Sequence, residues 1–161
     1  MNRILGTLVF VSTIWVTAAS AQPPSKATSV VPSGKTTLVA RSADLNVRAV
    51  ITTAATQRAR GRWDPRFYFP KSWVDNIVIT VNGKDIPAPF SAFLDLFDLH
   101  EAEVKVEGKK GVLALSGADA SLSYWAEIDF DAEGVTRRRL GSGLVEVAVS
   151  SETVYHVIIV K

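Results

Sequence analysis

An alternation of apolar and polar residues with a period of two is the dominant pattern of this chain. It is clear from residue 45, where Leu45, Val47, Ala49 and Ile51 alternate with mostly polar neighbours, as a strand with one buried face requires. Similar runs follow, separated by turn residues about every 8–12 positions. About eight or nine short strands with this spacing predict an antiparallel β-sandwich or, alternatively, a flattened barrel.

Two local signals interrupt the strands in the middle of the chain. Asn82-Gly83 follows the apolar run 73–81 and predicts a tight hairpin, because a type I′ turn needs positive φ at both central residues. The segment 91–97 breaks the alternation, and Ser91 is suited to start a helix. Three apolar residues of this segment share one helical face: Phe93, Leu94 and Phe97. We therefore expect one short helix, or a helical turn, over an open end of the sheet.

The C-terminal part returns to hairpins. Strand-like runs begin at Ala102, a further strand is expected over residues 145–149, and the last strand over Thr153–Val160. The last run is apolar on both faces, which is typical of a strand inside a sheet. We therefore expect it to be central.

The first 21 residues have the three parts of a secretory signal peptide. Arg3 precedes an uncharged apolar stretch, and Ala19-Ser20-Ala21 supplies small residues for the cleavage site. The apolar stretch is shorter than the roughly 20 residues that span a bilayer, so an uncleaved anchor is the less favoured alternative. Residues 22–35 contain three prolines and several Ser and Thr, which predict a flexible leader. Residues 36–161 are expected to form a single β domain without a membrane span.

The chain contains no cysteine, which excludes disulfides, thiol chemistry and Cys-ligated zinc. Small domains of the eukaryotic secretory route are often rich in disulfides. The absence of cysteine from an exported chain therefore favours a bacterial periplasm or the extracellular medium. We expect neither a cofactor nor a metal.

Charge is unevenly distributed along the sequence. Residues 22–75 contain nine Lys and Arg against three Asp and Glu, whereas residues 76–161 contain eight against thirteen. The split either steers an anionic partner to one region or is neutralised by basic strands that pair beside acidic ones, and we prefer the second interpretation. The whole chain carries a formal charge of only +2, which argues against a nucleic-acid partner.

The strongest functional candidate is the segment 57–73, which interleaves arginines with aromatic residues between two strands. These side chains dominate binding hot spots, stack on flat ligand groups and hold carboxylate or phosphate. The alternative is structural, with the aromatic rings in the core and the arginines paired with carboxylates. The candidate binding residues are Arg58, Arg60, Arg62, Trp63, Arg66, Phe67, Tyr68 and Trp73.

A second group of arginines favours ordinary cross-strand pairing. Arg137 and Arg139 are expected on one face of a strand, opposite Asp129 and Asp131, with Arg138 on the other face. No ligand site is therefore assigned to them.

Two further features resemble chemical sites without the complete pattern. Residues 129–134 have the oxygen spacing of the first half of a calcium loop, but Leu140 replaces the bidentate Glu, so a hairpin turn is expected. His100 and His156 are too far apart to indicate a site by spacing. We assign no catalytic residue and no metal ligand.

These observations favour an exported, non-catalytic binding or structural module of the bacterial envelope or secreted fraction. Its partner is expected to be an envelope protein, a glycan or an anionic surface. The alternative is a small envelope hydrolase with His100 or His156 as base, which requires a histidine within hydrogen-bond reach of a carboxylate inside a cleft. An exposed edge strand would allow dimerisation by strand addition, although the sequence does not identify that strand.

Overall fold

The computed structural model describes residues 26–56, 69–145 and 148–156. They contain ten strands: β1 (Thr28–Ser29), β2 (Gly34–Arg41), β3 (Asn46–Ala55), β4 (Ser72–Val81), β5 (Lys84–Ile86), β6 (Leu99–Glu107), β7 (Lys110–Gly117), β8 (Tyr124–Phe130), β9 (Val135–Ser142) and β10 (Val149–Val154). One sheet has the order β1-β6-β7-β8-β9-β10 and the other β2-β3-β4-β5, with antiparallel pairing throughout. The predicted antiparallel β-sandwich is confirmed.

The period-two alternation places one face of each sheet in the core. In β3, Val47, Ala49 and Ile51 are fully buried, and the residues between them are more exposed. In the other sheet, β8 buries Ala126 and Ile128 in the same way. Removal of these apolar faces from water is the main force that holds the two sheets together.

The predicted hairpin at Asn82-Gly83 is confirmed. β4 and β5 pair directly across it, and the φ angles of 51° and 83° have the signs that a type I′ turn requires. The side-chain oxygen of Asn82 also accepts a hydrogen bond from the backbone N–H of Asn46 at 2.8 Å. The turn thus also links two neighbouring hairpins.

The predicted helical segment contains a short 3-10 helix, Phe90–Ala92, followed by turns. It stays short because the chain next pairs with β4, where the N–H of Val74 donates to the oxygen of Leu96 at 3.0 Å. Phe93 and Leu96 are buried and close one side of the core. No helix in the described part of the chain has the length and apolarity to cross a bilayer.

The sandwich begins before residue 36, inside the expected leader. β1 pairs with β6, and the next residue, Val30, is buried. Its N–H donates to the oxygen of His100 at 2.8 Å. The leader is therefore attached to the domain from Thr28 onward. A two-residue strand is too short to produce a recognisable period in the sequence.

The end of the chain differs from the expected pair of strands. Residues 143–145 form a turn, and the single strand β10 follows. Among the described strands, β10 has β9 on one side and is the last strand of its sheet. The predicted central position of the segment beginning at Thr153 is therefore wrong for its described part, and residues 157–161 lie outside the described part.

The cross-strand arginine pairs are largely as predicted. Arg137 Nε donates to Asp129 Oδ2 at 2.6 Å, and Arg139 lies 2.6 Å from Glu127, all on the outer face of the six-stranded sheet. Asp131, the other expected partner, instead accepts backbone hydrogen bonds in its own turn.

Arg138 lies on the opposite face of β9, as predicted, and is only 6% exposed. Its Nη2 atom donates to both carboxylate oxygens of Asp95, at 2.7 and 2.8 Å. Asp95 belongs to the connection between β5 and β6, so this charge-assisted contact fastens the connection across the open side of the sandwich.

The basic strands β2 and β3 and the acidic strand β6 lie in different sheets. Lys35, Arg41 and Arg48 are exposed on β2 and β3 of the four-stranded sheet, whereas Glu101 and Glu103 belong to β6 of the other sheet. In the described part of the chain, β2 and β3 therefore do not pair beside β6, whereas the basic strand β9 does pair beside the acidic strand β8. The arginines of residues 58–66 lie outside the described part, so the preferred interpretation of the charge split stays a prediction.

Candidate binding site

The connections between strands give the sandwich two different ends. At the turn end, four short turns meet (residues 42–45, 82–83, 108–109 and 131–134), and side chains from all four line a pocket of about 440 Å³. At the opposite end, the loop end, lie the longer connections from β3 to β4, from β7 to β8 and from β9 to β10. Antiparallel neighbours place these two sets of connections at opposite ends.

Exposed apolar side chains are concentrated at the loop end. Among the described residues, ten large hydrophobic side chains are exposed, and none belongs to the four turns of the turn end. Clusters of exposed apolar residues mark interaction sites, whereas scattered ones need no explanation. Six of the ten lie at the loop end: Val31, Trp73, Leu122, Leu144, Val145 and Val149.

The predicted binding segment is attached to this same end. Ala55 pairs with Ser72, and the N–H of Thr56 donates to the oxygen of Lys71 at 2.9 Å. The segment between them therefore leaves and re-enters the sandwich at the loop end. Most of the predicted residues lie outside the described part of the chain: Arg58, Arg60, Arg62, Trp63, Arg66, Phe67 and Tyr68.

A buried carboxylate fixes the base of this segment. Asp98 Oδ1 accepts hydrogen bonds from the N–H groups of Lys71 and Ser72, at 2.8 and 2.7 Å, and from the Ser72 hydroxyl at 3.2 Å. Asp98 has a φ of 44°, in the left-handed region that residues other than glycine adopt uncommonly. The backbone carbonyl oxygen of Asp98 accepts a hydrogen bond from the N–H of Ala118 at 2.9 Å. Asp98 therefore joins the connection from β3 to β4 to the connection from β7 to β8.

Trp73, the predicted binding residue that the structure describes, packs at this base. Its ring centroid lies 5.6 Å from that of Phe97, which in turn lies 5.5 Å from that of Tyr124. Trp73 is 38% exposed. Part of its ring is therefore held by the domain, and the remainder lies on the surface.

The third ring of this cluster, that of Tyr124, is anchored by hydrogen bonds. The Tyr124 hydroxyl donates to the oxygen of Phe97 at 2.6 Å and accepts from the N–H of Phe97 at 3.0 Å. Burial raises the pKa of Tyr124 above its usual range, and the hydrogen bond to Phe97 only partly opposes this effect. The hydroxyl therefore stays protonated and keeps both bonds.

The two other loop-end connections contact each other. The N–H of Gly143 donates to the oxygen of Ser123 at 2.7 Å, and a Cβ at Gly143 would lie within 3.0 Å of Ser123. This close approach sets the connections that carry Leu122 and Leu144 side by side. Leu144 is 65% exposed, so it contributes little to the core.

The described histidines lie on the surface. His100 Nε2 is 3.3 Å from Asp119 Oδ1, but their side chains are 50% and 73% exposed. His156 is also exposed. Neither histidine lies with a carboxylate inside a cleft in the described part of the chain, so this geometry does not favour the hydrolase alternative.

The described residues contain no group of three or more His, Asp or Glu side chains that could hold a metal. In the segment that resembles a calcium loop, Asp131 Oδ1 accepts hydrogen bonds from the N–H groups of Glu133 and Gly134, at 2.8 and 3.2 Å. Asp131 therefore stabilises a hairpin turn, as the sequence predicts.

Sequence patterns alone did not identify Leu122 and Leu144 as surface residues. Leu122 stands at the start of a strand-like run, and Leu144 next to another, so both resembled strand residues. Their sequence neighbours could have identified them as surface residues. Leu122 lies between Ser121 and Ser123, and Leu144 follows Gly143, and such residues are typical of connections between strands.

No known protein family, curated protein or solved structure matches this chain. Similarity therefore assigns it neither an activity nor a partner. A functional proposal therefore depends on the chemistry of the residues at the loop end.

Proposed function

We propose that the protein is an exported, non-catalytic binding module of the bacterial envelope or secreted fraction, and that the loop end contacts its partner. The observation that carries this proposal is the cluster of exposed apolar side chains at the loop end. The arginine- and aromatic-rich segment joins the sandwich at the same end. The signal-peptide pattern of residues 1–21 supports export.

The residue types at the loop end suit a partner that presents both apolar and anionic groups. Leu122 and Leu144 supply apolar contact area, and Trp73 supplies an aromatic surface. The four arginines of the segment supply bidentate donors for carboxylate or phosphate. This mixture is typical of protein interfaces, so an envelope protein is the favoured partner, ahead of a glycan or an anionic surface.

The bonds of Asp98 support a binding role for the segment. They hold both ends of the segment in one place, through Lys71 and its contact with Thr56. A fixed base reduces the conformational entropy that a binding surface loses on association, and so favours affinity.

The test is affinity capture from envelope extract with three baits, each expressed as the full chain and purified in the form that the cell exports. The first bait is the unchanged protein, and the second carries Arg60→Ala, Arg62→Ala and Trp63→Ala. The third carries Lys109→Ala and Lys110→Ala at the turn end as a matched control. We expect the second bait to bind its protein partner at least about tenfold more weakly, because hot-spot residues each contribute 1.4 kcal/mol or more.

Unfolding in urea establishes that all three baits are equally folded. Equal retention by the first two baits would contradict the proposal, and so would a loss caused by the turn-end changes alone. Retention of only polysaccharide or lipid by the first bait would replace the protein partner with one of the other two classes.

A further inference from the structure

The outer face of β2 and β3 carries three cations that form no ion pair in the described part of the chain. Lys35 and Arg41 are exposed on β2, and Arg48 is exposed on β3. Neither strand contains an Asp or a Glu. The two acidic residues in the strands of the same sheet, Asp75 and Asp85, belong to β4 and β5. The half of the sheet formed by β2 and β3 is therefore positively charged.

The six-stranded sheet neutralises its outward arginines within the chain. Arg137 pairs with Asp129, and Arg139 pairs with Glu127, each at 2.6 Å. Unpaired cations are thus a property of β2 and β3, and not of every strand that carries arginine. Charges that a fold leaves without a partner attract a ligand of opposite sign.

The rest of the chain contains few carboxylates that could neutralise this face. Outside the described part, Asp64 and Glu146 are the only acidic residues. The segment 57–73 joins β3 to β4 of the same sheet, and it contains four arginines against Asp64 alone. The sequence therefore adds positive charge to this sheet.

The three cations are too far apart to hold one small anion. Lys35 and Arg41 are six residues apart on one strand, a distance of about 20 Å. Between them, Arg48 of the neighbouring strand lies directly opposite Val39. A single phosphate or carboxylate is held by donors that converge on it, whereas these donors are spread along the sheet. They suit an extended surface with many separate anionic groups.

Apolar side chains lie among the cations. Val39 is 68% exposed, and Val50 and Val78 are half-buried on the same outer face, opposite each other across the pair of β3 and β4. A flat face that combines cations with exposed apolar groups suits the interface of a lipid bilayer, where phosphates lie above the acyl chains. A nucleic acid or an acidic glycan would meet the cations, but it offers no apolar layer to these valines.

We propose that the outer face of β2 and β3 binds the surface of an anionic phospholipid membrane. Lys35, Arg41 and Arg48 contact headgroup phosphates, and Val39 reaches the boundary with the acyl chains. The strands then lie parallel to the membrane, so that the loop end points along it. This inference does not rest on the proposed function, because the loop end takes no part in the lipid contact.

Co-sedimentation with lipid vesicles tests this contact, with the full-length product purified as exported. One set of vesicles contains equal parts of phosphatidylglycerol and phosphatidylcholine, and the other contains phosphatidylcholine alone. We expect binding to the first set only, and weaker binding as the salt concentration rises. The combined change Lys35→Gln, Arg41→Gln and Arg48→Gln should weaken it on the order of a hundredfold, because each cation near an anionic surface contributes about fivefold.

The matched control is Lys26→Gln, Lys109→Gln and Lys110→Gln, which removes the same charge from exposed lysines in or beside strands of the six-stranded sheet. The two sheets of a sandwich are about 10 Å apart, so salt screening should leave this variant bound nearly as tightly as the original protein. Both triple variants should keep the urea midpoint of the original, because exposed side chains without ion pairs contribute little to stability.

A fluorescent label reports which surface touches the lipid. Because the chain has no cysteine, an environment-sensitive dye can be attached to Val39→Cys or, at the loop end, to Leu144→Cys. The original side chains are 68% and 65% exposed, so both positions can accept a label. We expect the emission to shift to the blue on vesicles only from position 39.

No binding of the original protein to the phosphatidylglycerol vesicles, or equal losses in the two triple variants, would overturn the proposal. A blue shift from position 144 alone would also overturn it and would assign the lipid contact to the loop end. Sodium phosphate and sodium chloride of equal ionic strength should release the protein equally, and stronger release by phosphate would replace the lipid surface with a discrete phosphate site. Retention by an immobilised acidic polysaccharide without vesicle binding would replace the membrane with a glycan.

Discussion

The turn end and the loop end are built from the same strands, yet they are held together differently. At the turn end, each turn has local bonds of its own: Asn82-Gly83 forms a type I′ turn, and Asp131 accepts N–H groups two and three residues along the chain. Bonds such as the one from Asn46 to Asn82 then link the turns to one another. At the loop end the decisive bonds are long-range, such as those from Asp98 to Lys71 and Ser72, 27 and 26 residues away. The end at which Asp98 fixes the connections through long-range bonds is the one with the exposed apolar surface. Long connections that distant contacts fix at their base can therefore leave apolar side chains exposed.

The strongest test of this contrast removes one carboxylate from each end. Asp98→Ala should lower the free energy of unfolding by about 3 kcal/mol, because two buried donors of Ser72 and the part-buried N–H of Lys71 lose a charged acceptor. Asp131→Ala, in a more exposed turn, should lower it by about 1 kcal/mol. Urea unfolding followed by fluorescence or circular dichroism measures both values.

Stability losses of equal size would break the contrast between local and long-range closure. A second readout comes from amide hydrogen exchange. In Asp98→Ala, faster exchange should be confined to Lys71, Ser72 and their neighbours, since these amides lose their acceptor. Uniformly faster exchange would show that Asp98 supports the whole sandwich and not one end.

The next prediction concerns alkaline pH. The pKa of Tyr124 is raised in the folded protein by burial, whereas in the unfolded chain it returns to about 10. The resulting stability is fully present below about pH 10, and it is lost as the pH rises and the unfolded state ionises first. Up to about 1.4 kcal/mol per pH unit should disappear above that value.

Tyr124→Phe isolates this contribution. The variant should be less stable by about 1 kcal/mol at neutral pH, since the contacts with Phe97 are lost. Above about pH 10 the difference between the two proteins should shrink, because the variant has no such group to ionise. Urea midpoints measured at several pH values give both results. A difference that stays constant up to pH 12 would contradict the raised pKa.

Features of the fold that depend on neighbouring residues can be predicted from the sequence, whereas features that depend on contacts far along the chain cannot. The alternation in β3 and the Asn82-Gly83 turn depend on adjacent residues, so the sandwich and its first tight hairpin follow from the sequence. The edge position of β10 does not follow from the sequence. A segment that is apolar on both faces indicates a strand with neighbours on both sides, but it does not say whether those neighbours belong to the same chain. β1 is held by two residues of β6 from far along the chain. No local pattern predicts that contact.

The candidate site shows this limit more sharply. The residue types of segment 57–73 are visible in the sequence, and the pairing of β3 with β4 places its attachment points. The role of Asp98 depends on a buried position and a positive φ that no motif announces. Leu122 and Leu144 become a surface feature only when two connections meet through Gly143 and Ser123. Site residues that come from separate connections can therefore be identified only from the structure.

The smallest expected effect tests whether the loop-end leucines serve packing or contact. Leu144→Ser should change the free energy of unfolding by less than about 0.5 kcal/mol, because Leu144 is 65% exposed. Leu122→Ser should lower it by less than about 1 kcal/mol, because Leu122 is 42% exposed. Val135→Ser is the contrasting change near the turn end, where the side chain is 1% exposed; it should destabilise the protein by more than about 2 kcal/mol. If a loop-end serine variant lost more than about 1 kcal/mol, its leucine would belong to the core, and the apolar cluster would lose its value as evidence for binding. Unchanged stability together with weaker partner capture would instead separate folding from function at these two positions.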